Sequence, residues 1–492
     1  MKPIVLIHGF SAESRKTDRE SIGGIYGDLP GKLQSLNGSG GVVEIDLSRY
    51  ISLEDGVTID DVSHALNRAL ETDFARLRQS GFHAVVHSAG ALVIRNWIRR
   101  FSRKPSPIQN LVYLAGAHFG SGWAHLGRGQ MARWGRFVFE HGAERGVPFL
   151  KALELGSNWT IDLHRFFLAD GARMAEDYKI FEYVIVGSQA DAAWYTFPIR
   201  YAKEDGSDGV VRVSSANLNF HYIRFGLKPD VSSIQWEEAS RQHSKLVKGR
   251  GNREAFYEVK ERSQPGKDGR DVIPFSIPFE CAHSGKDMGV ASGEKTHAQV
   301  LPLIESALKV RTKAQWRKQV GEFQAQTDIT YQKARTDLKP GLFSRPREQY
   351  DPHAQIVFRI FDQDRRPVNH FDIFFEPSKA NRASIGDKKI VQSLFEDKHI
   401  NRDSPNTIVF YWRTRHFDEE INDWASTTEQ LDGCFLDVTG LESATQEILY
   451  LPMRFQFSRS QLLEWVQDHR TTVIDVELFR LPSPGIYTLT TY

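Results

Sequence analysis

Residues Phe82–Trp97, FHAVVHSAGALVIRNW, decide how this chain is interpreted. The stretch begins with a short apolar run, Phe82–His87, whose length and β-branched residues are typical of a buried strand. A turn containing Ser88 and small residues follows, and Ala91–Trp97 continues with apolar residues among its helical positions. The pattern therefore predicts a strand, a tight turn that carries a serine, and a helix.

The serine of this turn has two interpretations. In a nucleophile elbow the strained turn exposes the serine Oγ at the C-terminal edge of a sheet, and the next amide, here that of Ala89, faces the same space. Small residues are needed because strand and helix nearly touch, and Gly90 meets this need, whereas Val86 stands where the usual G-x-S-x-G pattern has glycine. Ser88 is otherwise an ordinary N-cap of the helix. The rest of the chain has to decide between these two roles.

Composition limits the class of protein. The chain has 492 residues, too many for one ordinary domain, which predicts two or three domains. Hydrophobic residues make up 40% and charged residues 25%, as in soluble globular proteins with a substantial core. The formal net charge of +1 gives no electrostatic case for a nucleic-acid partner or an anionic membrane. The two cysteines, Cys281 and Cys434, are far apart and indicate neither a disulfide framework nor a zinc site.

Targeting and membrane signals are missing from the sequence pattern. No stretch approaches the roughly 18 apolar residues of a spanning helix, so the chain is not expected to be transmembrane. The first ten residues, MKPIVLIHGF, enter a strand without the apolar region and cleavage site of a signal peptide. This predicts a cytoplasmic protein, and export by a route that reads no N-terminal signal stays open.

The first third of the chain alternates strands and helices. Apolar runs at Pro3–Ile7, Val42–Leu47 and Asn110–Ala115 read as strands, as does the run before Ser88, and Ile59–Arg78 has the periodicity of a helix. Such alternation predicts a mostly parallel sheet with helices on both faces, which is an α/β fold.

Three segments of this region together resemble α/β-hydrolases of the lipase and esterase kind. They are IVLIHGF at 4–10, VVHSAGALV at 85–93 and LVYLAGAHFGSGWA at 111–124, and the resemblance extends over about residues 1–310. It implies an α/β-hydrolase domain with Ser88 as nucleophile. It also implies an oxyanion hole formed by the backbone N–H groups of Phe10 and Ala89. Gly120-Ser121 occupies the place that leads into the lid of such lipases.

The resemblance also implies the other two catalytic side chains. Asp208 lies in a Gly-flanked loop followed by hydrophobic and small polar residues, which is where bacterial lipases carry the acid, with Asp205 and then Asp191 in reserve. Because these enzymes run Ser, Asp, His along the chain, the base is expected beyond the acid. His283, in a turn of small residues, is the candidate, and His297 is its reserve.

An aromatic-rich segment at 123–175 is expected to form a helical cap. One interpretation is a lid whose apolar underside lines an acyl pocket, and the other is a helical subdomain that packs its aromatics into its own core. The candidates for the pocket or lid are His8, His87, His118, Phe119, Trp123 and Trp134.

The C-terminal third changes in character. Residues 311–350 are rich in Lys, Arg and Gln and are expected to be a helical, polar linker. From 351 to 492 short alternating runs separated by turn residues predict an all-β, sandwich-like domain. Appended β-domains of lipases engage lipid surfaces or protein partners, and a packing or oligomerisation module is the alternative.

The sequence thus predicts a serine ester hydrolase, lipase- or phospholipase-like, that acts on acyl esters or lipids through an acyl-enzyme. A small-ester carboxylesterase or thioesterase, an acyltransferase, and a non-catalytic binding module with the same fold are the alternatives. No cofactor is expected, and no metal site, including a structural calcium site, is recognisable in the sequence.

Overall fold

A computed structural model describes most of the chain. The described residues are 2–7, 23–47, 50–51, 56–125, 147–190, 204–229, 238, 256–339, 347–377, 394–441 and 448–482. They divide into two compact units. The first comprises the described residues within Met1–Asn219, Pro265–Asp351 and Phe417–Asp423, and the second comprises those within Phe220–Gln264, Pro352–His416 and Trp424–Tyr492.

The regular elements of the described residues are numbered along the chain. The strands are β1 (Ile4–Ile7), β2 (Val42–Ile45), β3 (Phe82–His87), β4 (Ile108–Leu114), β5 (Phe181–Ile185), β6 (His221–Leu227), β7 (Tyr257–Ser263), β8 (Phe275–Ser276), β9 (His353–Asp362), β10 (Phe371–Pro377), β11 (Phe395–Ile400), β12 (Thr407–Arg413), β13 (Arg415–Asp418), β14 (Asp423–Ser426), β15 (Gly433–Gly440), β16 (Ile448–Tyr450), β17 (Met453–Ser458), β18 (Thr471–Leu478) and β19 (Arg480–Pro482). The α-helices are α1 (Leu29–Asn37), α2 (Ile59–Glu71), α3 (Ala75–Ser80), α4 (Gly90–Phe101), α5 (Val147–Leu153), α6 (Asn158–Phe166), α7 (Val213–Ala216), α8 (His297–Lys309), α9 (Lys313–Asp337) and α10 (Arg459–Trp465).

The first unit is built on a parallel sheet with the strand order β2-β1-β3-β4-β5-β8. Strand β3 lies near its middle, between β1 and β4, and all six of its residues are buried. A strand buried on both faces needs a continuous apolar run rather than an alternating one, which is the pattern of β3. The strand order reverses at β1, so a crevice forms where the carboxyl ends of β1 and β3 meet. Ser88 directly follows β3 at this edge.

The helices of this unit pack into the same core as the sheet. Helix α2 begins with a capping box, in which the Thr58 side chain accepts from Asp61 N–H and the Asp61 carboxylate accepts from Thr58 N–H. Helix α4 follows the serine turn, has Ala91–Ile98 buried, and ends in Arg99 and Arg100, where positive charge complements the helix dipole.

The second unit contains two sheets. One has the order β11-β12-β9-β18-β6-β7, in which β18 pairs in parallel with both β9 and β6 and the outer pairs are antiparallel. The other is antiparallel, with the order β10-β15-β17. Both sheets contribute to one apolar cluster, in which the Phe375 ring of β10 lies 5.8 Å from that of Phe358 and 5.5 Å from that of Phe410. Two short pairs, β13–β14 and β16–β19, complete the sheets of the described residues.

These two architectures confirm the expected fold class, an α/β unit with a sandwich-like β-unit. The division between them differs from the expected boundaries, because β6 and β7 belong to the second unit although they lie within residues 1–310. Strand β6 pairs with β18, which lies about half the chain away, and the sequence around β6 does not predict this pairing. The last ten residues of the expected β-domain, 483–492, lie outside the described residues.

Two further expectations about the helices need correction. The predicted helix 59–78 is two helices, because the chain leaves helical geometry at Thr72 and begins α3 at Ala75. Helix α9 is the polar helix expected in 311–350, but it packs on the first unit rather than serving only as a linker. The Trp316 indole donates to Glu182 O at 2.9 Å, and the Phe323 ring lies 5.6 Å from that of Tyr183.

The segment expected to form a cap is helical wherever it is described. It contains α5, α6 and a π-helical turn at Met174–Tyr178, while residues 126–146 lie outside the described part. Its buried aromatic residues Trp123, Phe149 and Phe167 belong to the core of the first unit. Phe167 also packs under the buried Arg95 guanidinium, 4.6 Å from its ring centroid. These three aromatics thus pack into the core of the first unit, whereas the alternative stated from the sequence was a core of the segment's own.

Candidate active site

Ser88 occupies a strained turn at the carboxyl end of β3. Its φ is +54°, in the left-handed region that a non-glycine residue rarely adopts. The turn is held because Ser88 N–H donates to Leu114 O at 3.0 Å and Ser88 O accepts from Ala91 N–H at 3.1 Å. Helix α4 begins two residues later, at Gly90. This strand–turn–helix geometry is that of a nucleophile elbow, and Val86 fits it as a fully buried residue paired with Ile7 and Tyr113.

The Ala89 amide is available beside the serine. Ala89 precedes α4, and no carbonyl in the described part of the chain accepts its N–H. The first N–H groups of a helix lack partners within the helix and carry its positive dipole end. The second expected donor, Phe10, lies outside the described residues, as do His8, Trp134 and Asp191.

Asp208 is buried in a loop that holds both of its carboxylate oxygens. Oδ1 accepts from Val210 N–H at 3.0 Å and from Val211 N–H at 2.7 Å. Oδ2 lies 2.9 Å from His283 Nδ1. Gly209, with φ +91°, allows the tight turn that brings the two amides back to the carboxylate. A carboxylate so placed is satisfied as an anion and presents one oxygen to the histidine.

His283 connects the acid to the serine. Its Nε2 lies 3.0 Å from Ser88 Oγ, and its side chain is 3% exposed. An ionised carboxylate only accepts hydrogen bonds, so the His283 proton is on Nδ1 and the Nε2 lone pair faces the serine hydroxyl. The structure therefore brings together Ser88, Asp208 and His283, the three side chains selected from the sequence, in the geometry by which a hydroxyl is activated.

The loop that carries Asp208 (the acid loop, residues 204–212) is held by hydrogen bonds from the segment that follows β4. The Trp123 indole N–H donates to Gly209 O at 2.7 Å, and the Ser121 hydroxyl donates to Val210 O. In the reverse direction, Ser215 Oγ donates to Gly120 O at 2.7 Å. Trp123 was expected in a lid or pocket, but its side chain is buried and holds the residue after Asp208. The sequence offered no signal for this contact, because it depends on residues 86 positions apart.

A buried ion pair closes the same loop. Arg212 makes two parallel hydrogen bonds to Glu204, from Nε at 2.9 Å and from the terminal guanidinium nitrogen at 2.7 Å. Both side chains are at least nine-tenths buried, so the pair is little screened by solvent. Asp205, the reserve acid, lies next to this pair and is half-buried, and it is Asp208 that faces His283.

The loop that carries His283 passes very close to the end of β5. Gln189 N–H donates to Cys281 O at 3.2 Å, and Ala282 is bonded on both sides, from its N–H to Met288 O and from Val290 N–H to its carbonyl. A Cβ placed on Gly187 would lie 1.9 Å from Cys281 O and 2.5 Å from its carbonyl carbon. Only glycine at position 187 therefore permits the close approach to the backbone of Cys281, which lies two residues before His283.

Replacing Gly187 by alanine is expected to lower the free energy of unfolding by about 3 kcal/mol, the upper end of overpacking costs, because the Cys281 backbone has to move. Urea denaturation of both proteins measures the change. Gly321→Ala is the matched control, since this exposed position in α9 has nothing within 4 Å of the new Cβ. We expect the control to gain about 0.5–1 kcal/mol from helix propensity. A Gly187→Ala protein as stable as wild type would contradict the close approach.

His118 and Phe119 lie in the interior rather than on an open pocket wall. Both ring nitrogens of His118 are buried and have no hydrogen-bond partner among the described residues. Burial, followed by the neighbouring His164 and Arg95, holds the pKa of His118 well below its usual range, so its ring is neutral. The Phe119 ring is 4.9 Å from that of His164, whose Nε2 donates to His118 O at 2.7 Å.

Below these rings lies a buried charge that the sequence analysis missed. Arg95, two helical turns beyond Ser88, forms an ion pair with Glu182 of β5. Tyr113 donates to the same carboxylate oxygen at 2.7 Å. The sequence does contain one clue, because Arg95 lies among the apolar residues of α4. An arginine buried in this way needs an oppositely charged or hydrogen-bonding partner.

The reserve base His297 has a different environment. Its Nε2 donates to Ala291 O at 3.0 Å, and its Nδ1 is 2.6 Å from the Lys32 ammonium and 3.2 Å from Asp28 Oδ1. It begins helix α8 and has no described contact with Ser88 or Asp208. The geometry thus favours His283 over His297.

Two kinds of feature were sought among the described residues, a cluster of metal-ligating side chains and a membrane-spanning helix. Among its residues no group of three or more His, Cys, Asp or Glu side chains is arranged to hold a metal ion. None of the described helices is both long and apolar enough to span a membrane. Cys281 and Cys434 are buried, unpaired thiols.

Comparison with known proteins rests on structure alone. No protein-family model and no curated protein matches the sequence. The phospholipase PlaB from Legionella pneumophila superposes with a TM-score of 0.75 and 22% identity, over 100% of this chain and 96% of its own. Its structure in complex with thio-NAD gives a TM-score of 0.75 and 20% identity over the same shares. The chain therefore shares the fold of this protein, an α/β-hydrolase fold together with a mostly antiparallel β-unit.

Proposed function

We propose that this protein is a serine ester hydrolase of the lipase or phospholipase kind. The observation that carries the proposal is the continuous path from Ser88 Oγ through His283, at 3.0 Å, to Asp208 Oδ2, at 2.9 Å. A serine on a strained elbow, a histidine oriented toward it and a buried carboxylate are the parts of a nucleophilic acyl-transfer site.

In the proposed reaction His283 Nε2 takes the Ser88 proton as Oγ attacks the ester carbonyl carbon. Asp208 stabilises the imidazolium that forms and keeps the ring in orientation. The tetrahedral intermediate then expels the alcohol, which receives the proton from His283, and an acyl-serine remains. Water then attacks the acyl-serine and gives a proton to the same nitrogen. The second tetrahedral intermediate breaks its bond to Ser88 Oγ, which takes that proton back from His283, and the carboxylic acid is released.

The developing negative charge needs donors close to Ser88. The Ala89 N–H is suited to this role because it is unused within the described part of the chain and lies at the positive end of α4. We propose Phe10 N–H as its partner, on the sequence resemblance alone. Loss of one such donor typically lowers kcat about 10²–10³-fold.

An acyl ester with a long chain is the proposed substrate class. PlaB, the protein of like fold, is described as a phospholipase, and this description supports an ester with a long acyl chain. For the second unit we propose a role in engaging a lipid surface or a protein partner. This proposal rests on the sequence resemblance to lipases with appended β-domains.

A fluorophosphonate probe tests the nucleophile directly, since it phosphonylates activated serines only. We expect one adduct on the folded protein, located at Ser88 by peptide mass spectrometry. Ser35→Ala, which removes an exposed serine of α1, is the matched control and should label as wild type does. Folded wild-type protein that gives no adduct would contradict the hydrolase and favour a non-catalytic binding module.

The substrate class is tested with p-nitrophenyl esters from acetate to palmitate and with phosphatidylcholine vesicles. Rates that rise with chain length, and fatty acid released from the vesicles, are the expected results. Activity confined to the acetate ester would replace the lipase with a small-ester carboxylesterase. Transfer of the acyl group to an added alcohol in preference to water would indicate an acyltransferase.

A further inference from the structure

His87, the residue before the serine, makes a contact that the proposed reaction does not use. It is the last residue of β3, and its Nε2 lies 3.0 Å from the backbone carbonyl oxygen of His283. A carbonyl oxygen only accepts hydrogen bonds, so the nitrogen that faces it carries a proton. The neighbour of the nucleophile thus donates to the main chain of the candidate base, across 196 positions of sequence.

The protonation state of His87 follows from its surroundings. Burial lowers the pKa of His87 to about 3, and the adjacent His283 contributes in the same direction. The ring is therefore neutral near pH 7, and its single proton is the one on Nε2. A neutral ring at this place adds no charge that would oppose the imidazolium form of His283.

The ring of His87 is held on two sides. Its centroid lies 4.8 Å from that of His283, with the planes tilted by 48°. On another side the Tyr26 ring meets it at 6.4 Å and 70°, and the Tyr26 hydroxyl is tied to Ile7 O at 2.8 Å. Rotation of His87 away from the His283 carbonyl is thus hindered by packing.

Both backbone groups of His283 are consequently occupied. Its N–H donates to Asp208 O at 3.0 Å, and its carbonyl accepts from His87. The base is therefore connected by main-chain hydrogen bonds to the acid on one side and to the residue before the nucleophile on the other. These bonds set where Nε2 of His283 lies relative to Ser88 Oγ.

We propose that His87 is a positioning residue, whose Nε2–H holds the His283 carbonyl and so keeps the base within hydrogen-bond reach of Ser88. The inference rests on the proposed ester hydrolysis. It predicts an effect on the chemical step rather than on substrate binding, because His87 acts through His283. A displacement of about 1 Å in a reacting group is enough to lower a rate about 10²-fold.

Two substitutions separate this role from simple filling of space. His87→Phe keeps an aromatic ring and removes the donor, and we expect kcat to fall about 10–10²-fold while KM stays within about threefold. His87→Gln places an amide N–H where Nε2 was, and we expect it to recover kcat to within about fivefold of wild type. If His87 only fills space, the kcat of His87→Phe should be higher than that of His87→Gln. That result would overturn the proposal.

His83→Phe is the matched control. His83 is a buried histidine of the same strand, and its ring contacts Asn110 instead of the base. We expect its kcat to stay close to that of wild type. The fluorophosphonate labelling rate is measured for each folded variant and should fall in parallel with kcat for His87→Phe only.

A measurement on the unaltered protein decides the matter even where a variant fails to fold. With ¹⁵N-labelled histidine, long-range ¹H–¹⁵N correlations should show His87 neutral with its proton on Nε2. A proton on Nδ1, or a wild-type kcat in His87→Phe, would overturn the positioning role and leave the hydrolase intact. Wild type that neither labels nor hydrolyses esters would instead overturn the proposed function itself.

Discussion

Replacing Ser88 by alanine is expected to lower kcat for an acyl ester roughly 10⁶-fold, the size of loss seen when the nucleophile of a serine protease is removed. Only the oxygen that forms the acyl-enzyme is lost. The backbone bonds of the turn, to Leu114 and from Ala91, do not involve the side chain and persist. The free energy of unfolding should change by less than about 1.5 kcal/mol, the net worth of one hydrogen bond.

The comparison needs ester hydrolysis rates and urea denaturation on the same preparations. Ser35→Ala again serves as the control, because within the described part of the chain its side chain bonds inside α1, to Gly31 O. Hydrolysis that persists in Ser88→Ala at the wild-type rate would show that another group is the nucleophile. A loss of activity accompanied by unfolding would show that the turn depends on the hydroxyl.

Replacing Asp208 by asparagine is expected to lower kcat about 10⁴-fold with little change in KM, as the equivalent change does in a serine protease. The two backbone N–H groups at Oδ1 decide which way the new amide turns, since only its oxygen can accept from Val210 and Val211. Its –NH₂ group then faces His283 Nδ1. That nitrogen has to become an acceptor, so the proton moves to Nε2, where it blocks acceptance of the Ser88 proton.

Steady-state kinetics on p-nitrophenyl esters measures this effect, and circular dichroism checks the fold. Asp205→Asn is the matched control, since this residue lies in the same loop and it is the Asp208 carboxylate that contacts His283 Nδ1. We expect the kcat of the control to stay within about threefold of wild type. An Asp208→Asn protein with wild-type kcat would show that the base does not depend on this carboxylate for its tautomer.

The sequence pattern predicted secondary structure correctly around Ser88, where the residues that define the strand, the turn and the helix are consecutive. The apolar run 82–87 and the small residues after it predicted the buried strand, the tight turn at Ser88 and helix α4, and the structure has all three. These features are local because a strand needs only a continuous apolar run, and a turn of this kind needs only small neighbours.

Pairing partners could not be obtained in the same way. The alternation of strands predicted two architectures, but not that β6 and β7 leave the first unit to join β18 and β9. The apolar pattern of a strand predicts which of its faces is buried, but it does not identify the strand with which it pairs. That pairing depends on burial and hydrogen bonding over the whole fold. The expected boundary at residue 310 therefore differed from the compact units.

The sequence by itself determined which residues can do chemistry: a serine on an elbow, a later acid in a Gly-flanked loop, and a histidine beyond it. The tertiary structure decided which histidine meets that serine, His283 rather than His297, and that Asp208 is the acid that meets this histidine. It also turned Trp123 and His87 from pocket candidates into donors that hold the acid loop and the base. Side-chain chemistry belongs to single residues, whereas a hydrogen bond between distant residues exists only once the chain has brought them together.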